Sequence, residues 1–253
     1  MPRSTYGGRH ELGQNFLTHN PTIAKITSLV AASDGPILEL GAGGGALTKP
    51  LARLGRPLTA IDLDEHRVAA LQRSLENITV VHADALSYPL TAPVVVGNIP
   101  FHLTTPILRR ILSSGTWGQA VLLTQWEVAR KRCGVGGSTM LTAQVAPWFT
   151  FELHGRVPSW GFRPRPSVDG GIMRIVRRNT PLIPPEQRRN YERFVRAVFT
   201  GRGASLERIL QRSSNAERGL IRLALGQAEV PARALPRELT PDQWALIWRQ
   251  VGS

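Results

Sequence analysis

Residues 97–106 read GNIPFHLTTP and follow the apolar run PVVV. An amine attached to an aromatic ring delocalises its lone pair into that ring and is a poor nucleophile. Two acceptors aimed at its two N–H groups favour the tetrahedral form in which the lone pair is available, and positioning supplies that bias in advance. Asn98 can provide a side-chain carbonyl and Ile99 a backbone carbonyl, while Pro100 stiffens the turn. The ring of Phe101 can lie on a flipped-out base, a contact worth about 1–3 kcal/mol. In the competing structural reading Asn98 caps a turn, Pro100 ends a strand and Phe101 belongs to the core. For an isolated N-x-P-F that reading would win, so the surroundings decide.

Upstream, ELGAGGGALT occupies 39–48, after the apolar run PILEL. Glycines at the start of a helix let a ligand approach the backbone and aim free N–H groups at it. Gly41, Gly43 and Ala46 satisfy the G-x-G-x-x-A form of a dinucleotide site as well. Asp62, 21 residues beyond Gly41, can accept from ribose hydroxyls in either case. Glu39 stands where the ammonium group of an amino-acid-like ligand could sit, and Asp84 in VHADAL offers an acceptor for an adenine amine. That ordered set favours S-adenosyl-L-methionine, which has a ribose and an adenine but no pyrophosphate, over NAD. Four glycines in five residues, with an acid at that distance, disfavour a plain tight turn.

These groups need a sheet to hold them. Apolar runs at 36–40, 57–62, 78–82, 93–97 and 119–124 alternate with helical stretches such as DEHRVAALQRSL. Strands apolar on both faces and separated by helices predict a parallel sheet with crossover helices. Two further extended segments are expected within 145–178, then a proline-rich linker, NTPLIPP, at 179–185. Beyond it Tyr191, Phe194, Val195, Val198 and Phe199 fall on one helix face. The fold expected is therefore α/β: a Rossmann-like, S-adenosylmethionine-dependent methyltransferase type of domain over 1–178, with helices on both faces of a mostly parallel sheet. A small all-helical, RNA-binding domain follows over 179–253.

The 253 residues carry a formal net charge of +13, from 28 arginines and three lysines against 18 acids. A GC-rich genome explains arginine over lysine but not base over acid, and a basic excess of this size points to a polyanion. Residues 163–222 hold 14 of the arginines against five acids. Among them Arg163, Arg165, Arg188, Arg189, Arg193, Arg196, Arg202 and Arg208 are the candidate phosphate contacts. No apolar stretch reaches the roughly 20 residues needed to cross a bilayer, and no apolar segment follows the N-terminal arginines as in a signal peptide. The single cysteine, Cys133, excludes an internal disulfide and fits a reducing cytoplasm. Neither a metal nor a membrane is called for, and a monomer is expected.

Taken together, GQNFL (13–17), ELGAGGG, IDLD, HADAL, GNIPFHLTTP and GFRPRPSVDGG (161–171) resemble the rRNA adenine-N6 methyltransferases, specifically the erythromycin-resistance (Erm) branch. The resemblance spans nearly the whole chain. It implies cofactor contacts from Gln14, Asn15 and the Leu17 backbone, with Glu39, Gly41 and Gly43 at the methionine end. It also implies Asp62 on the ribose and Asp84 on the cofactor adenine, with Asn98, counted too among the cofactor contacts, in the target-amine loop. Phe101 would then stack on the target base, and Phe162 would close over it. Glutamate is commoner where Asp62 stands and tyrosine where Phe101 stands; the shorter acid and the bare ring can do the same work. The reaction implied is methylation of one adenine of 23S rRNA, as naked or pre-assembly RNA. It would confer macrolide, lincosamide and streptogramin B resistance. A housekeeping 16S rRNA dimethyltransferase is the alternative, although its loop typically reads N-L-P-Y-N. A non-catalytic RNA-binding relative is a third reading, disfavoured by the intact acceptor loop.

Overall fold

The computed structural model describes residues 15–231 and 233–252. Its elements begin with β1 (Phe16–Leu17), α1 (Asn20–Ala31), β2 (Ile37–Leu40), α2 (Thr48–Ala52), β3 (Leu58–Asp62), α3 (Glu65–Ser74) and β4 (Thr79–His82). Next come β5 (Val94–Asn98), α4 (Thr104–Ser113), β6 (Gln119–Gln125), α5 (Trp126–Arg132) and α6 (Met140–Val145). β7 (Phe149–Val157), β8 (Phe162–Arg163) and β9 (Gly170–Arg177) complete the strands. The helices α7 (Arg188–Thr200), α8 (Leu206–Ser213), α9 (Arg218–Gln227) and α10 (Pro241–Val251) follow. All five strands expected from the apolar runs are present, each within a residue or two of its expected ends.

The main sheet has the order β4-β3-β2-β5-β6-β9-β7. The pairs β2–β3, β3–β4, β2–β5 and β5–β6 are parallel. Every residue of β2 is buried, as are the first four of β5 and the first six of β6. That is what a sheet covered on both faces requires. Ile37, Val94, Val96, Val121 and Leu123 pack with Ile26 and Val30 of α1 and with Leu51 of α2. Ala60 and Val80 pack instead with Val68 and Leu71 of α3. From β2 the chain winds outward through β3 and β4, then returns to place β5 on the other side of β2. The strand order therefore reverses between β2 and β5, and a crevice opens there beyond the carboxyl ends of the strands, where open α/β sheets bind ligands.

The chain divides into two compact units: Met1–Ala129 with Glu152–Ile175, and Arg130–Phe151 with Val176–Ser253. The second unit is therefore discontinuous: besides Val176–Ser253 it takes in the 22 residues Arg130–Phe151, which the sequence reading assigned to the first domain. The reason is a packed aromatic cluster. The Tyr191 hydroxyl on α7 donates to the Ala143 carbonyl of α6 at 3.0 Å, and its ring meets Trp148 edge-on at 5.6 Å. On α7 Tyr191, Phe194, Val195 and Val198 are buried, and Phe199 stacks on Trp244 of α10 at 5.9 Å. The five-residue face read from the helical spacing is therefore the packed face. Among the described residues no strand follows Arg177. No described helix is long and apolar enough to cross a membrane, and no described cluster of His, Cys, Asp and Glu could hold a metal ion.

Candidate active site

After β2 the chain turns through Gly41, Gly43 and Gly45, with φ of 75°, 53° and 83°. Residues with a Cβ rarely adopt this region, which is why glycines recur here. A Cβ placed on Gly44 would meet nothing within 4 Å, so the turn offers bare backbone to the crevice. Asp62, at the end of β3 and 5% exposed, braces the turn. Its Oδ2 accepts from the Gly43 N–H at 2.7 Å and its Oδ1 from the Asp64 N–H at 2.8 Å.

Glu39 on β2 is 1% exposed, and its Oε2 has no hydrogen-bond partner. Burial, with the Asp62 charge adding to it, pushes its carboxyl up to about 7. A buried carboxylate oxygen without a partner is costly to the fold, and a cationic ligand group set beside it would offset that cost.

Across the switch point, β5 delivers Asn98. Its Nδ2 donates to the Asn15 carbonyl at 2.8 Å, which leaves Oδ1 as the uncommitted end of the amide. The Ile99 N–H donates to the Leu123 carbonyl of β6 at 2.9 Å, so the turn is tied to the next strand. Leu103 N–H to Pro100 carbonyl, 2.9 Å, closes the 3-10 turn Phe101–Leu103. The Phe101 ring is partly exposed and meets Phe162 edge-on, with 6.3 Å between centroids. One cleft of about 290 Å³ collects these groups: Asn15, Leu17, Glu39, Gly41, Gly43, Asp62, Asn98, Ile99 and Phe101 all line it. A bare glycine turn, a buried acid with one unpartnered oxygen, the carboxylate of Asp62 and an amide oxygen thus line a single space.

A family model described as ribosomal RNA adenine dimethylase matches residues 6–239. The chain belongs to that family. It is 53% identical to an rRNA adenine N-6-methyltransferase of Corynebacterium diphtheriae over 214 residues, covering 83% of this chain and 85% of that protein. It is 46% identical to the mycinamicin-resistance protein MyrB of Micromonospora griseorubida over 248 residues, covering 96% and 79%. Among solved structures, the 23S rRNA methyltransferase ErmE superimposes with a TM-score of 0.85 at 35% identity, covering 94% of this chain and all of that one. The α/β fold with its helical C-terminal region is the fold of this family of rRNA adenine methyltransferases.

Within the family fold, several expected site residues sit differently from their reading in the sequence. Asp84 follows β4 but does not line the cleft; its Oδ1 accepts from the Leu86 N–H at 2.8 Å and caps its own turn. Arg110 of α4 holds that turn through the carbonyls of Ala85 and Tyr88. Phe162 is 1% exposed and belongs to the core cluster with Leu17 and Ile172, so it backs Phe101 rather than offering its own face to a base. Gln14 lies outside the described residues. In the second unit Arg188 is not a free cation. Its Nε binds Glu192 at 2.7 Å, and its guanidinium lies 5.3 Å over the Trp148 ring. By contrast Arg163, Arg165, Arg189, Arg193, Arg196, Arg202 and Arg208 are exposed.

Several lining residues were given no role of their own in the sequence. Phe16 packs its ring against the glycine turn and beneath the Arg67 guanidinium, 4.1 Å from the ring centroid. Its place inside GQNFL was the signal that could have found it. Lys49 also lines the cleft, and nothing in its local pattern separates it from an ordinary helix start.

Proposed function

We propose that this protein transfers a methyl group from S-adenosyl-L-methionine to the N6 amine of one adenine in 23S rRNA. The modified base would then resist macrolide, lincosamide and streptogramin B binding. The observation that carries the reading is the Asn98 amide. One N–H of its amide is held by the Asn15 carbonyl, which supports its oxygen as the end that would face a substrate amine.

When bound, the cofactor supplies an electrophilic methyl on a positively charged sulfur. Everything else is positioning by the chain. Glu39, Gly41 and Gly43 would hold the methionine end, with Asn15 and Leu17 beside it; the expected contact from Gln14 lies outside the described residues. Asp62 has a second lone pair on each oxygen for the ribose hydroxyls. Asp84 would take the adenine edge once its turn admits the ligand. Asn98 Oδ1 and the Ile99 carbonyl accept from the two amine N–H groups and hold the nitrogen lone pair toward the methyl carbon. Phe101 carries the flipped ring, with Phe162 fixing the angle of Phe101 from behind. With the methyl supplied to it, the amine nitrogen held by Asn98 and Ile99 would give up its extra proton to water. The reaction asks no basic side chain of the protein.

The seven exposed arginines supply the phosphate contacts that bring the RNA, read as naked or pre-assembly 23S rRNA bound by a monomer in the cytoplasm. Incubation with labelled cofactor and separate 23S and 16S transcripts tests the proposal. Label is expected in 23S RNA at an adenine N6; label only in 16S RNA, or in neither, overturns it.

A further inference from the structure

Among the described residues the most exposed large apolar side chain is Trp160, 61% of it open to solvent. Leaving an indole in water forfeits the burial that normally places tryptophan inside. Here the exposure is built rather than incidental, because the turn that carries it, Ser159–Gly161, is clamped from several sides. Both the N–H and the Oγ1 of Thr18 donate to the Gly161 carbonyl, at 2.8 and 3.1 Å. The Ser159 N–H donates to Asp169 Oδ1 at 2.8 Å, and Arg165 Nε donates to Ser159 Oγ at 3.0 Å. A Cβ on Gly161 would come 2.8 Å from the His19 Cβ, so the turn lies close against the chain at His19. The His19 ring meets the indole at 86° and 4.8 Å between centroids, which props it without covering it.

Its surroundings are cationic. Arg163 and Arg165 are exposed in the same segment. Asp169, the acid beside them, is already engaged by Arg156 Nε at 2.6 Å. The turn also leads directly into the rim of the active site. Phe162, two residues on, touches Phe101, and β8 pairs with β1 so that Leu17, which lines the cleft, stands opposite Phe162.

Flipping an adenine out of a strand breaks its stacking with both neighbours. We infer that Trp160 is the platform on which an unpaired nucleotide flanking the target adenine restacks, with Arg163 and Arg165 on its phosphates. A rigid aromatic among arginines is what sequence-tolerant binding of single-stranded RNA uses. The inference rests on the function proposed above.

The test compares the full-length wild type with Trp160→Ala and Trp160→Phe on a 23S transcript bearing the target loop. Trp160→Ala is expected to raise the KM for RNA about tenfold, with cofactor affinity unchanged, and Trp160→Phe to recover most of the loss. Transcripts with an abasic residue 5′ or 3′ of the target adenine supply the second arm. One of the two should weaken the wild type but leave Trp160→Ala no worse than it was. Normal turnover with an unmoved KM, an abasic penalty equal in both proteins, or a changed oligomeric state in Trp160→Ala overturns the role of Trp160 alone. A wild type inactive on 23S RNA overturns the functional reading and this inference with it.

Discussion

Asn98 matters less for being polar than for having one end tied down. An untethered amide could present N–H₂ to the substrate amine, donor against donor; the Asn15 carbonyl removes that choice. Asn98→Ala deletes an acceptor used in the transition state and is expected to lower kcat about 100-fold or more, as loss of one preorganised hydrogen-bonding group does elsewhere. Cofactor affinity, measured by calorimetry, should be largely kept; equal losses in binding and turnover would refute the acceptor role. Glu39 makes a different prediction. Its carboxyl titrates at about 7 in the folded chain against an ordinary 4.5. Below about 4.5 both folded and unfolded forms are protonated and nothing is lost. As pH rises from there toward 7 the unfolded chain gives up its proton first, so stability falls, and above about 7 the deficit is constant. It amounts to at most about 3 kcal/mol. Glu39→Gln should therefore gain stability relative to the wild type between pH 5 and pH 8, read from urea midpoints; a difference that does not change with pH would show that Glu39 is not the group responsible. Both residues were legible in the sequence by type and order. What was not legible is which atom is free, because that depends on a partner 83 residues away.

The crevice exists because β2 and β5 lie side by side while their connections run to opposite sides. On β5, Gly97 lies close against Leu40 of β2. A Cβ there would lie 2.6 Å from the Leu40 carbonyl oxygen and 3.0 Å from Ile99 Cδ1. The first contact is to backbone and cannot relax by a rotamer change. Gly97→Ala is expected to cost about 1–3 kcal/mol, and to lower kcat although it leaves every acceptor in place, because it spreads the strand ends that aim Asn98 at the cleft. Thermal unfolding together with steady-state rates checks this; normal turnover in a destabilised protein would separate strand spacing from the chemistry. The strands themselves were readable, since burial on both faces leaves an apolar run that no other element explains. The pairing of β1 with β8 was not. Two residues carry no periodicity, and Phe16 and Leu17 find Arg163 and Phe162 only through the tertiary fold. The burial of Phe162 was not legible for the same reason: an aromatic within a motif does not say whether its ring faces inward or out.

Across the whole molecule the charge of +13 is an electrostatic statement about partners. The chain does not spend its arginines uniformly. Arg188 is taken up by Glu192 and by the faces of Trp148 and Phe149. Arg189, Arg193 and Arg196, at positions i, i+4 and i+7 of α7, are exposed along one stripe of that helix. Local sequence cannot separate these two fates, because the ion pair of Arg188 looks like any i, i+4 pair until the aromatics from α6 to β7 fold against it. The separation makes the charge testable. Replacing Arg189, Arg193 and Arg196 together by alanine should weaken RNA binding and flatten its dependence on log salt by about two, at roughly 0.7 per phosphate contact on single strands. The fold should be nearly untouched, since the stripe faces solvent and exposed pairs contribute little. Arg188→Ala should do the reverse, lowering the unfolding temperature while leaving the salt slope where it was. Filter binding across a range of salt, with thermal unfolding of the same variants, decides between them. A salt slope that moves with Arg188 and not with the stripe would relocate the RNA from the exposed face of α7.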